Sequence, residues 1–285
     1  MKKLVSKFFS GLVSAIAVTG IFATAGSQVQ AAGNKQDVLY SKIKTRGKLI
    51  VGTSADFPPY EFLAQKNGKQ TPAGADMSLA KRLAKGLGVK LEIKNMSFDS
   101  LLVAQKSGRV DVLIAGMGST PERKKQVDFS IPYYTAKETL VINKSEAKKI
   151  KSYKNLAGKR VGVQTSARQE SLIKSSLAKN KLSAAHFVQM QSNNDLILAL
   201  QTNKIDAVAL SGGVGQAYAH SVSGLKYVYA SYPKGVQNEE GMQVVIPKHQ
   251  QTLVAHINKI IKKVNKQKVF PKWIAQAGKQ LGKAK

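Results

Sequence analysis

Apolar and polar positions follow two recurring rhythms along this chain. Lys48 to Thr53 (KLIVGT) reads as a strand running into a loop, while Asp76 to Leu87 (DMSLAKRLAKGL) repeats its apolar residues at helical spacing. Met77, Leu79, Ala80, Leu83, Ala84 and Leu87 form one stripe there, which predicts a helix packed on a core. Gly88 follows and predicts its end. Val89 to Ile93 predicts a short alternating strand, and residues 98–106 a further helix. VDVLIAG at 110–116 is almost wholly apolar, as expected of a parallel strand covered by helices on both faces.

The rhythm then returns. GKRVGVQ at 158–164, AAHFVQM at 184–190 and KIDAVALS at 204–211 predict strands. ARQESLIKSSLAKN at 167–180 and NNDLILALQTN predict the helices between them, the second opened by an asparagine or aspartate cap. The expected fold class is α/β: two hinged lobes, each a mainly parallel sheet flanked by helices, with a ligand between them. Residues 48–138 and 241–285 are expected to form a discontinuous first lobe, and 139–240 the second. A linker around Ala136 to Ile142 leads out of the first lobe, and GMQVVIPK at 241–248 leads back.

The first 31 residues have a different pattern. Lys2, Lys3 and Lys7 form a basic head, Leu12 to Ala25 an apolar stretch, and Val29-Gln30-Ala31 a small-x-small cleavage site. This is the pattern of an export signal, with residues 32–47 a short extension before the first lobe. No other apolar run approaches a membrane span.

Charge changes the picture next. The 285 residues carry a formal net charge of +29 and no cysteine. Disulfides, thiolate chemistry and a lipid anchor through cysteine are therefore excluded. An excess of this size favours polyanions, but export and the sparse aromatic interleaving argue against nucleic acid. Lys259, Lys262, Lys263, Lys266, Lys268, Lys272, Lys279, Lys283 and Lys285 close the chain without an acid from Gln251 onward. Two readings stand: a solvated helix face, or electrostatic retention by an anionic cell-wall polymer at the extracellular face of the envelope.

Residues 114–130, IAGMGSTPERKKQVDFS, carry the candidate chemistry. Gly116, Gly118, Ser119 and Thr120 form a turn, and Thr120 can cap a helix opened by Pro121 and Glu122. The Arg123 fork fits a carboxylate bidentately, with nearby backbone N–H groups sharing the oxyanion. The residues alone allow equally that Arg123 begins a surface helix. His186, His220, His249 and His256 show no metal spacing, and no serine or histidine belongs to a nucleophile motif. No enzyme, metal or cofactor is expected.

GTSADFPPYEF at 52–62, the stretch from GADMSLAKRLAKGL at 74 to NMSFDSLL at 102, TPER with VDFSIPYY, NLAGKRVGVQTS at 155–166 and KIDAVAL at 204–210 occur in a fixed order. As a set they resemble a family 3 extracellular solute-binding protein, the amino-acid-binding component of an ABC importer with a type II periplasmic-binding-protein fold. The resemblance implies two lobes that close over one amino acid, deliver it to a membrane permease and catalyse nothing. It assigns the ligand carboxylate to Arg123 and aromatic cover to Phe57 and Phe98, with Tyr60 packed beneath Phe57. Gly116 would offer its carbonyl to the ammonium, and Gly118, Ser119 and Thr120 would contribute donors. Gln164, Ser166 and Ala167 would supply the second-lobe contacts, with Thr165 and Ser166 directing donors at the carboxylate near a helix N-terminus. Tyr133 and Tyr134 would support the turn near the hinge, and Asp128 would be structural.

Three positions depart from the family pattern. Gly118 stands where relatives carry serine or threonine. Ala167 lacks a threonine hydroxyl, so that Arg168 either compensates or faces solvent. Ser211 stands where an acid ordinarily pairs with the ligand ammonium. A buried ammonium without a countercharge is costly, so Asp56, Glu239 or Glu240 would have to supply it, the ligand departs from the ordinary zwitterion, or transport-grade affinity is lost. The expected ligand is a neutral polar, apolar or sulfur-containing amino acid. The alternative function is a basic cell-surface adhesion protein on the same scaffold.

Overall fold

The computed structural model describes residues 37–66, 68–234 and 241–283. The export signal, Glu239 and Glu240 lie outside these residues. The described chain opens with α1 (Leu39–Arg46) and β1 (Lys48–Thr53). Sequence patterning gives no warning of the small antiparallel sheet that follows: β2 (Asp56–Phe57), β3 (Glu61–Lys66) and β4 (Lys69–Ala73). Helix α2 (Ala75–Leu87) buries all six residues of the expected stripe and ends on Gly88. Then come β5 (Lys90–Asn95), a 3₁₀ turn at Phe98–Ser100 and α3 (Leu101–Lys106).

The apolar run 110–116 pairs over a shorter length than expected, as β6 (Val112–Leu113). Ile114 N still reaches Gly52 O at 3.0 Å. Gly116 then turns at φ 58°, and its N–H goes to the Asp76 side chain instead of a strand. Helix α4 (Pro121–Gln126) and β7 (Val127–Phe129) follow.

The expected linker is in fact β8 (Glu138–Asn143), a strand inside the second sheet, where β11 and β12 flank it. Its run Thr139 to Ile142 is fully buried, so the segment gains both cross-strand bonds and apolar burial by joining the sheet. The second sheet is completed by β9 (Arg160–Gln164), β10 (His186–Met190), β11 (Ala207–Ser211) and β12 (Leu225–Tyr229). Helices α5 (Gln169–Lys179), α6 (Asn193–Gln201) and α7 (Gly212–Ser221) accompany them. The cap of α6 is Ser192, which accepts from Asn194 N at 3.1 Å, in place of the expected asparagine or aspartate. The chain returns through β13 (Val245–Pro247) and ends in α8 (Gln251–Lys266) and α9 (Val269–Lys283).

The strand orders are β5-β1-β6-β13-β7 and β10-β9-β11-β8-β12. Both sheets are mixed. The pairs β1–β5, β1–β6, β9–β10 and β9–β11 are parallel, whereas β13 and β7 in one sheet and β8 and β12 in the other pair antiparallel. Those four strands flank the two crossings between the sheets, so the reversals arise where the chain changes lobe. Helix α8 buries Leu253, Ile257, Ile261 and Val264, and α9 inserts Phe270 beside Tyr133 and Tyr134 with ring centroids 5.0 and 5.3 Å apart. The lysines of this segment that are described lie on the opposite, exposed faces.

Candidate functional site

The site begins with a helix cap. Thr120 Oγ1 accepts from Arg123 N at 3.2 Å, and Pro121 occupies the first helical position, where its missing N–H costs nothing. The cap sets the first turn of α4 so that Arg123 points inward, with 9% of its surface exposed. Its Nη1 donates to Gly118 O at 2.8 Å, and its Nη2 donates across to Ser166 O at 2.9 Å in the other lobe. Burial lowers its pKa to about 10, and the neighbouring Arg168 cation adds to that shift. Arg123 Cζ also lies 5.6 Å from the centre of the Phe98 ring.

Phe57 stands nearby, tilted on Tyr60 with centroids 5.8 Å apart. Its ring presses on Gly116, where a Cβ would lie 2.7 Å from Phe57 Cε1; the left-handed φ and the close approach both require glycine. Beneath them Asp76 Oδ2 accepts from Gly116 N and from Tyr133 OH, each at 2.9 Å. Glu61 lies alongside, equally buried. Desolvation, then the charge of Asp76, pushes the Glu61 pKa well above the carboxylic range. Desolvation raises Asp76 to about 6 against the donors that hold it. Both acids therefore hold a proton more readily than an exposed carboxyl would.

Asp56, offered above as a countercharge, is engaged by the protein itself. It accepts from Ser54 Oγ at 3.0 Å and, across the lobes, from Gln164 Nε2 at 2.9 Å and Asn193 N at 2.8 Å. Desolvation raises its pKa and these donors oppose the rise. Gln164 is likewise committed, its amide also reaching Gln191 O at 2.9 Å and Asn193 Nδ2 at 3.1 Å.

Among the described residues, the acid that meets Ser211 comes from the neighbouring strand. The β8–β11 register sets Ser211 opposite Glu138, and Ser211 Oγ donates to Glu138 Oε1 at 3.4 Å. Glu138 is 3% exposed. Its Oε1 also accepts from Arg168 Nη2 at 2.6 Å, and its Oε2 from Gln169 Nε2 at 3.2 Å. Arg168, for which two orientations were open, turns inward.

Eight of the expected site residues enclose an inner space of about 30 Å³: Phe57, Phe98, Gly116, Gly118, Arg123, Gln164, Ala167 and Ser211. Ser119, Thr120 and Ser166 line an adjoining groove of about 770 Å³, which Arg123 and Arg168 also border. Ser166 adopts φ 65° and turns its carbonyl to Arg123, where a donor to the ligand was expected. Sequence reasoning left Glu61, Glu138 and Gln169 out of the site. An acid heading an apolar run, ETLVI at 138–142, was the available signal for Glu138. Among the described residues no cluster of three or more acids and histidines could hold a metal ion.

Residues 49–276 match the bacterial extracellular solute-binding proteins, family 3. The arginine-binding extracellular protein ArtP of Bacillus subtilis is 36% identical over 233 residues, spanning 79% of this chain and 86% of its own. The L-cystine-binding protein TcyJ of Escherichia coli is 38% identical over 125 residues, spanning 44% and 46%. A solved amino acid ABC transporter substrate-binding protein of Streptococcus pneumoniae, bound to L-arginine, superposes with a TM-score of 0.78 at 32% identity. It covers 85% of this chain and 98% of its own.

Proposed function

The chain belongs to the bacterial extracellular solute-binding proteins, family 3, and on that premise we propose that Arg123 holds the α-carboxylate of an amino acid, with Phe57 and Phe98 covering the rest. The protein is extracellular, binds an amino acid as a component of an ABC importer, and is not an enzyme. The carrying observation is the buried Arg123 guanidinium, which donates to two neutral carbonyls, one from each lobe. A carboxylate in their place would replace weak acceptors by a charge-assisted pair.

The ligand side chain in this reading is neutral polar, apolar or sulfur-containing. Among the described residues, Asp56 is engaged by Gln164 and Asn193 and Glu138 by Arg168, while burial beside Asp76 disfavours the charged form of Glu61. A second reading, arginine, is favoured by Glu61, whose carboxyl borders the inner space and can ionise toward a guanidinium. The arginine-binding relatives support it as well. Calorimetry against L-arginine, L-histidine, L-cystine, L-glutamine and L-leucine separates the two. Arg123→Ala is expected to weaken the best ligand about 100-fold, the value of a buried charge-assisted fork. If no amino acid of the panel binds, or if Arg123→Ala binds as well as the parent, the reading fails. Arginine as the tightest ligand, with a selective loss in Glu61→Gln, would decide for the second reading.

The exposed Lys259, Lys262, Lys263, Lys266, Lys272 and Lys279 support retention on an anionic envelope polymer beside this role. The protein should then leave cell envelopes as salt rises, and a variant with these lysines changed to glutamine should not be retained. Equal retention of that variant would rule the idea out.

A further inference from the structure

We infer that Arg168, aimed by Glu138, is a second grip on the ligand carboxylate, supplied by the second lobe, and that it makes the site selective for ligands bearing that charge. The inference rests on the reading of Arg123 as the first grip. Arg168 immediately precedes α5, and its side chain folds back over the site with 14% exposure. Its Nη1 comes close to Gly118, where a Cβ would lie 3.4 Å away. Gly118 is also the residue whose carbonyl takes Arg123 Nη1 at 2.8 Å. Guanidiniums from opposite lobes therefore converge on one backbone residue.

Two cations in this position repel each other, and both borders of the space gain from an anion between them. A carboxylate suits the geometry, because its two oxygens can accept from two forks. The support behind Arg168 is firm. Glu138 is nearly fully buried, and Gln169 Nε2 and Ser211 Oγ hold it so that it cannot turn away from the guanidinium. Glu138 is thus a positioning residue. Room for the arrangement comes from three small residues, Gly118, Ala167 and Ser211, all bordering the space with Arg168. At Gly118 a Cβ would already lie 3.0 Å from Gly241 O, and a longer side chain would compete with the guanidinium. Because Arg123 and Arg168 belong to different lobes, a carboxylate shared by them would favour the closed arrangement through differential affinity.

The test compares the tightest of L-arginine, L-histidine, L-cystine, L-glutamine and L-leucine with its own α-carboxamide, by calorimetry on the whole protein. Arg168→Gln is expected to lower affinity for the free acid about 10- to 100-fold and to shrink the acid-over-amide preference by a similar factor. Arg168→Lys, which keeps the charge but loses the fork, should fall between, and Glu138→Gln should show a smaller loss of the same preference. Thermal unfolding checks that each variant folds, and Arg168→Lys alone serves if Arg168→Gln does not. An unchanged acid-over-amide ratio overturns the inference, even where affinity itself drops, and leaves the role of Arg123 standing. If the parent binds none of the five, or Arg123→Ala changes nothing, the reading of Arg123 falls and this inference falls with it.

Discussion

Arg123 and Glu61 border the same inner space, with Asp76 beside Glu61, and all three are perturbed by the same cause, the removal of water from a charged group. The consequences differ in sign. Arginine lowered to about 10 stays charged at neutral pH and offers that charge to a ligand. The two carboxyls keep a proton that an exposed pair would release. Above the ordinary carboxylic range the folded state therefore binds more protons than the unfolded state, and stability falls as pH rises, for Asp76 up to about 6. Glu61→Gln keeps a donor toward Asp76 and removes one of the titrating groups. Its stability relative to the parent should improve from pH 4 to pH 7, measured by urea denaturation at each pH. A difference independent of pH would refute the raised Glu61 pKa.

The short helix α4 shows how an element places a residue. Six residues long, it depends on its cap more than on its own propensity. Thr120→Ala should cost about 1 kcal/mol in urea denaturation. It should also weaken ligand binding, because Arg123 leaves the first turn of that helix. Thr120→Ser should restore both. Helix α8 behaves in the opposite way, since its apolar stripe anchors it along its whole length. Ile257→Ala should cost about 2–5 kcal/mol, whereas Lys262→Gln on the exposed face should stay within about 0.5 kcal/mol. Strand β8 was the element least legible in the sequence. ETLVIN has the composition of a strand, but its place after the Pro132–Ala136 segment made it read as a connection. Local pattern does not reveal that β11 and β12 lie on both sides of it.

At the scale of the whole molecule, the two sheets meet through Asp56, Gln164, Asn193 and the reach of Arg123 to Ser166. Asp56→Ala removes two inter-lobe bonds at once. The variant should populate a more open arrangement, seen as a larger radius of gyration in small-angle scattering, with affinity lowered about 10-fold or more. Unchanged scattering and affinity would show that closure does not depend on this clasp. The amphipathic stripe of α2, the glycine turn with its Thr120 cap, and the arginine after it were readable from the chain, because spacing and capping act between near neighbours. The two-lobed architecture was readable too, since each strand–helix–strand unit repeats a local hydrophobic rhythm. Which acid stands near Ser211 was not. Glu138 is 73 residues distant in sequence and reaches it through antiparallel register, and Arg168 turns inward because that acid is there. Electrostatic partners chosen across strands depend on distances that only the folded chain sets.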